Sequence, residues 1–162
     1  EGWAWRSTNH ETWLQLADLE EHRSLVFPNQ PVVGVTFHEA LAYACSHGAR
    51  LPTMTERRWI VRGAERRPYP WGQPFGSGNA NTREEALGKP CAVGLYRTDA
   101  TPDGVCDLAG NVAEWTLDGG GDRRVIHPGS WVHPAMASWA KALEMLPPDS
   151  RVGDLGFRLV RE

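Results

Sequence analysis

Between residues 32 and 63 the apolar and polar positions repeat one pattern twice. Val32-Val33-Gly34-Val35 is a short apolar run that predicts a buried strand. Thr36-Phe37-His38-Glu39 then has the form of a capping box, a hydroxyl at the N-cap with a glutamate three residues on. The following residues read as a helix that stops at Gly48. Leu51-Pro52-Thr53-Met54-Thr55-Glu56 repeats the device, so a second helix is expected to run to Arg62 before Gly63. Upstream, residues 11–25 place Trp13, Leu14, Leu16 and Leu19 near helical spacing, which predicts a short amphipathic helix. Beyond Ala64 the helical period is lost. Turns at Tyr69-Pro70-Trp71-Gly72, Gly76-Ser77-Gly78, Thr101-Pro102-Asp103-Gly104 and Gly119-Gly120-Gly121-Asp122 leave room for short strands near 112–116, 124–126, 130–132 and 156–161.

Composition fits a single loop-rich domain. Eight tryptophans, 17 glycines and 12 prolines in 162 residues suit a fold stitched by aromatic anchors rather than long helices. The net charge of −3 is slight, and the arginines are scattered. The densest basic stretch, 57–67, has Glu56 and Glu65 beside and within it, which reads as a solvated helix face and argues against a nucleic-acid partner. No apolar run approaches a membrane span. Cys45, Cys91 and Cys106 form no CxxC and cannot all pair within one chain. Reduced thiols in a cytoplasmic monomer are the simplest expectation; one disulfide plus a free thiol would suit an exported protein. The chain starts at Glu1 rather than Met, so a longer parent protein is expected.

A series of blocks adds a family likeness. Pro31-Val32-Val33-Gly34-Val35-Thr36, Arg50-Leu51-Pro52-Thr53, Arg62-Gly63, Tyr69-Pro70-Trp71-Gly72, Asn79-Ala80-Asn81 and Asp107-Leu108-Ala109-Gly110-Asn111-Val112-Ala113-Glu114-Trp115 are followed by Gly129-Ser130-Trp131 and Gly156-Phe157-Arg158-Leu159. In this order, and over residues 31–161, they resemble the formylglycine-generating enzyme family of sulfatase-modifying factor domains. The resemblance implies an irregular α+β fold of the C-type-lectin type, with two short helices, several short antiparallel strands and many loops. It divides one domain, 1–162, into an N-terminal segment (1–30) unlike the family's usual opening strands, a scaffold (31–128) and a C-terminal ligand-binding region (129–162).

The resemblance also implies a cation loop with ligands from Asp107, Gly110, Val112 and Glu114, a mixture of carboxylates and backbone carbonyls that suits one calcium ion. The alternative is a turn in which backbone amides or an arginine hold Glu114 without metal. A second family cation site, beginning at Asn81-Thr82, is not carried over because its distal part is shortened here. Oxidase members use two cysteines five residues apart after the Gly-Ser-aromatic motif to bind copper. His133 and Ser138 occupy those positions, and neither supplies the soft thiolate that Cu(I) needs. No copper and no catalytic residues are therefore expected. The six scattered histidines show no zinc spacing, and no Ser/His/Asp order or phosphate loop is present.

Binding is the class that remains. Residues 135–146 are rich in helix formers, yet the resemblance places a loop and strand there, and such conflicts mark functional surfaces. The tract resembles the C-terminal display region of variable proteins of diversity-generating retroelements, in which a lectin-type scaffold carries altered side chains. Val132, His133, Met136, Ser138, Trp139, Lys141, Leu143, Met145, Leu146, Val152 and Asp154 are then the candidate contacts with a protein or other macromolecular ligand. A core role for Met136, Trp139, Leu143 and Met145 competes with this reading. The same blocks would also suit a divergent enzyme of the family, or a structural accessory domain of a larger protein.

Overall fold

A computed structural model describes residues 29–161. The helix expected over 11–25 lies outside them. Helix α1 is Phe37–Ser46 and helix α2 is Met54–Arg62. Both capping boxes form: Thr36 Oγ1 accepts from the Glu39 amide at 3.2 Å, and Thr53 Oγ1 accepts from the Glu56 amide at 3.1 Å. Each glutamate returns to its cap amide, at 2.9 and 2.8 Å, so two orphan donors per helix are satisfied. Arginines outside the helices clasp the same glutamates in bidentate fashion, the distant Arg151 at 2.6 and 2.7 Å on Glu39 and the nearby Arg50 at 2.7 and 2.8 Å on Glu56. The caps thus tie each helix into the tertiary structure.

The strands are β1 (Ala113–Gly120), β2 (Arg123–His127), β3 (Glu144–Leu146) and β4 (Leu155–Gly156), in sheet order β3-β2-β1-β4. β1–β2 and β2–β3 are antiparallel, with an irregularity between Trp115 and Gly119. The β1–β4 pair is parallel, which corrects the all-antiparallel expectation to a mixed sheet. Phe37, Ala40 and Ala44 of α1 pack with Val35, Leu51, Ala113, Trp115, Ile126 and Leu155 in the main core. Trp115 lies edge-on to Phe37 with centroids 5.9 Å apart, and its indole N–H donates to the Val35 carbonyl at 2.9 Å, so the buried ring leaves no unmet donor.

Three strand expectations are corrected. Residues 32–35 are not a strand: Gly34 turns at φ +72 and its N–H is shared between the carbonyls of Val152 and Leu155 at 3.2 and 3.1 Å. Residues 130–132 form bends, because Trp131 donates to the Asn111 carbonyl and His133 to the Ser130 carbonyl, at 3.0 and 3.2 Å. At the C-terminal end only Leu155–Gly156 pairs as a strand, with a further isolated bridge from Val160 to Arg50.

Close backbone approach explains two glycine-led blocks. A Cβ at Gly129 would overlap the Ala109 carbonyl oxygen, and one at Gly156 would overlap the Val32 carbonyl oxygen. These contacts fix both ends of the C-terminal tract against the scaffold.

Candidate ligand-binding site

Residues 107–114, a loop that runs into β1, meet the start of the tract at Gly129 and Trp131. Asp99, buried, accepts from three successive amides, those of Leu108, Ala109 and Gly110, at 2.9 to 3.2 Å. Burial raises its carboxyl to about 7 against the pull of those amides. Asn111, at φ +70, links four segments. Its amide donates to the Asn81 carbonyl at 2.8 Å, its carbonyl accepts from Trp131 at 3.0 Å, and its side chain pairs with both backbone groups of Cys91.

Glu114, near the start of β1, lies between two guanidiniums. Arg57 Nε donates to Oε2 at 2.8 Å, and Arg158 donates to Oε1 from Nε at 2.8 Å and from Nη2 at 2.6 Å. Burial alone would raise this carboxyl; Arg158 and Arg57 override it and hold it at about 2. The same arginines cover loop carbonyls, Arg57 that of Leu108 at 2.6 Å and Arg158 that of Asp107 at 2.9 Å. The Asp107 carboxylate turns aside to accept from the Gly94 amide at 2.8 Å.

As arranged, the expected set of Asp107, Gly110, Val112 and Glu114 does not fit a cation, because guanidinium N–H groups occupy both Glu114 oxygens. Among the described residues no group of three or more His, Cys, Asp or Glu side chains is placed to hold a metal ion. Arg57 also corrects the reading of residues 57–67 as a wholly solvated face: it is 1% exposed, on the inner face of α2 with Met54 and Val61.

Scaffold groups then shape the tract and override its helical preference. A 3₁₀ turn at Ala135–Ser138 replaces the helix. The Ala135 amide donates to Glu84 at 3.0 Å, the His133 carbonyl accepts from Arg83 at 3.0 Å, and the Ala140 amide donates to the Pro68 carbonyl at 2.9 Å. Buried His127 accepts from the Gly129 amide at Nδ1 and donates from Nε2 to the Trp139 carbonyl, both at 3.2 Å. Burial lowers its pKa well below the usual imidazole range, so it serves as a neutral bridge. With these backbone groups committed outside the segment, an i to i−4 ladder cannot form.

The candidate contact residues divide accordingly. Val132, Met136, Trp139, Lys141, Leu143, Met145 and Val152 are exposed, Met136 by 82% and Trp139 by 46%. The Lys141 ammonium lies 5.6 Å from the Trp139 ring centroid. Ser138 and Asp154 are buried, a correction to their place among ligand contacts, and Leu146 packs partly against the main core. Ser130 donates its hydroxyl proton to Asp154 at 2.5 Å, and half-buried His133 lies 3.0 Å from the same hydroxyl. This serine, wholly buried with its proton directed at a carboxylate, anchors the tract's two ends and is not arranged as a nucleophile. Arg57, Arg158 and Asp99 were absent from the sequence-based site. An arginine spaced with Met54 and Val61 on an inward helix face was the available signal for the first.

The whole chain, residues 1–162, matches the model of the sulfatase-modifying factor enzyme 1-like domain. It belongs to that family. The domain is 31% identical to a hercynine oxygenase of Mycolicibacterium thermoresistibile, over 85% of this chain and 40% of the relative. It is 34% identical to the inactive C-alpha-formylglycine-generating enzyme 2 of Mus musculus, over 79% and 48% of the respective chains. The chain therefore spans about half or less of these curated relatives. Variable protein 1 of Treponema denticola superposes with a TM-score of 0.73 and 20% identity, over 83% of this chain and 72% of that one, a likeness of fold. The formylglycine-generating-enzyme and C-type-lectin type of architecture, α+β, is thus the fold of this domain.

Proposed function

We propose that this family member is a non-catalytic binding domain whose exposed tract residues between 132 and 154 meet a protein or other macromolecular ligand. One observation carries the reading: Met136, Trp139, Leu143 and Met145, four large apolar side chains that folding would ordinarily bury, are all exposed on one tract. Trp139 is the natural anchor, a large ring with limited rotamer freedom. The fixed ends and the scaffold bonds beneath the tract allow its outer side chains to change while the backbone stays in place, which suits a diversified display surface. The imidazole and hydroxyl at His133 and Ser138, where the oxidases carry thiols, support a role without copper chemistry.

The test pairs two measurements on the purified chain. Met136→Ser with Trp139→Ser should leave the melting temperature within about 2 °C of the parent, as expected of surface positions. The parent should consume no oxygen with thiol substrates, with or without added copper or iron. A large fall in melting temperature would assign these residues to the fold. Oxygen consumption lost on changing His133 would favour an enzyme.

A further inference from the structure

We propose that the outer face of α2 carries a separate binding site for a phosphate monoester that also bears a planar ring, a nucleoside monophosphate being a ligand of that chemistry and size. The site does not depend on the tract's proposed role. Thr55, Arg58, Trp59, Arg62, Gly63 and Arg66 line an open cavity of about 370 Å³. That volume lies at the lower end of the range for small-molecule sites, roughly 300–1,000 Å³.

Among the described residues, three guanidiniums line this cavity and no acidic side chain does. Arg58 and Arg62 are one helical turn apart, a like-charge spacing that destabilises a helix until an anion joins it. Arg58 Nη2 is fixed by the Lys141 carbonyl at 3.2 Å, while its buried Nε has no hydrogen-bond partner among the described residues. The side chains of Arg62 and Arg66 make no hydrogen bond or ion pair among those residues, and nearby Glu65 faces Arg67 at 4.0 Å. A cation near a helix C-terminus complements the helix dipole. That effect accounts for one of these arginines and not for three with a tryptophan among them.

Two further features point to a built site. Trp59 is 71% exposed and meets no other ring among the described residues, so it offers a free face for stacking. The chain leaving α2 doubles back on unusual backbone conformations, Gly63 at φ 55, ψ −167 and Arg66 at φ 57, with Arg67 donating to the Arg62 carbonyl at 2.9 Å. A non-glycine residue held at positive φ is strained, and this strain places Arg66 on the cavity wall beside Trp59. Forked guanidiniums recognise phosphate oxygens, and the indole takes a planar ring; inorganic phosphate would leave the indole bare.

Isothermal titration of the full chain with AMP, adenosine, inorganic phosphate and a single-stranded oligonucleotide tests the site. AMP should bind in a salt-sensitive manner, with adenosine and inorganic phosphate each at least about tenfold weaker. Arg62→Gln and Trp59→Ala should each weaken AMP binding by about tenfold while melting at the parent temperature, since neither side chain supports the core. Absence of AMP binding, equal affinity for inorganic phosphate, unchanged affinity in both variants, or binding of the oligonucleotide alone would each overturn the proposal.

Discussion

Replacing Glu114 by glutamine probes the charge cluster on which the loop rests. The substitution keeps shape and removes the one carboxylate facing two arginines. Arg57 and Glu114 have side chains 1% and 5% exposed, so solvent screens their interaction little. Removing one partner of a buried pair typically costs about 3–5 kcal/mol, because the remaining charge stays desolvated. The lowered pKa of Glu114 corresponds to a similar figure. Its carboxyl titrates at about 2 in the fold against an ordinary 4.5, and at 1.36 kcal/mol per pH unit the gap corresponds to about 3 kcal/mol. For a domain of this size a loss of about 3–5 kcal/mol lowers the melting temperature by roughly 6–20 °C. The sign follows from a depressed acid: the stabilisation is complete above pH 4.5 and is lost as pH falls toward 2. Urea unfolding of the parent and Glu114→Gln at several pH values should show a difference near 3 kcal/mol at pH 7 that shrinks steadily below pH 4.5. A difference under about 1 kcal/mol at pH 7, or one independent of pH, would refute the assignment of Glu114 as the ionised centre of the cluster.

Further outcomes follow from other parts of the structure. Adding calcium after chelation should shift the parent's melting temperature by less than about 1 °C, since guanidiniums hold Glu114; a rise of several degrees would show that a cation displaces them. Asp99→Ala strands three buried amides and should cost at least about 3 kcal/mol in chemical denaturation, while a loss below about 1 kcal/mol would count against that role. Gly129→Ala drives a Cβ into the Ala109 carbonyl and should destabilise by about 1–3 kcal/mol, measured by thermal melting, whereas a neutral result would show that the tract's entry point can shift.

Local signals carried the helices. Thr36 with Glu39 and Thr53 with Glu56 set both N-termini through contacts three residues apart, so neighbouring sequence was sufficient. Gly129 and Gly156 likewise marked real constraints, although the reason, a carbonyl from a distant segment, was invisible until the chain was folded. Residues 32–35 failed as a strand because Gly34 spends its amide on carbonyls more than a hundred residues away. The tract's helical preference failed for the same kind of reason, since Glu84, Pro68 and His127 engage its backbone from outside.

The site was legible only in part. Met136, Trp139, Leu143 and Met145 stood among the expected contacts and are exposed, although residues of these types are more often buried and a core role competed. Ser138 and Asp154, small or polar, proved to be interior. The charge cluster at Glu114 depends on Arg57, whose neighbours in sequence suggested a solvated face. Its partner Glu114 lies 57 residues away, beyond the reach of any local pattern.

Sequencing this gene across related isolates tests the central reading most directly. If the tract is a diversified binding surface, amino-acid changes should concentrate at the codons of Val132, Met136, Trp139, Lys141, Leu143, Met145 and Val152, and spare Gly129, Ser138, Asp154 and Gly156. Codons 132–154 that differ no more than codons 31–110 would contradict it.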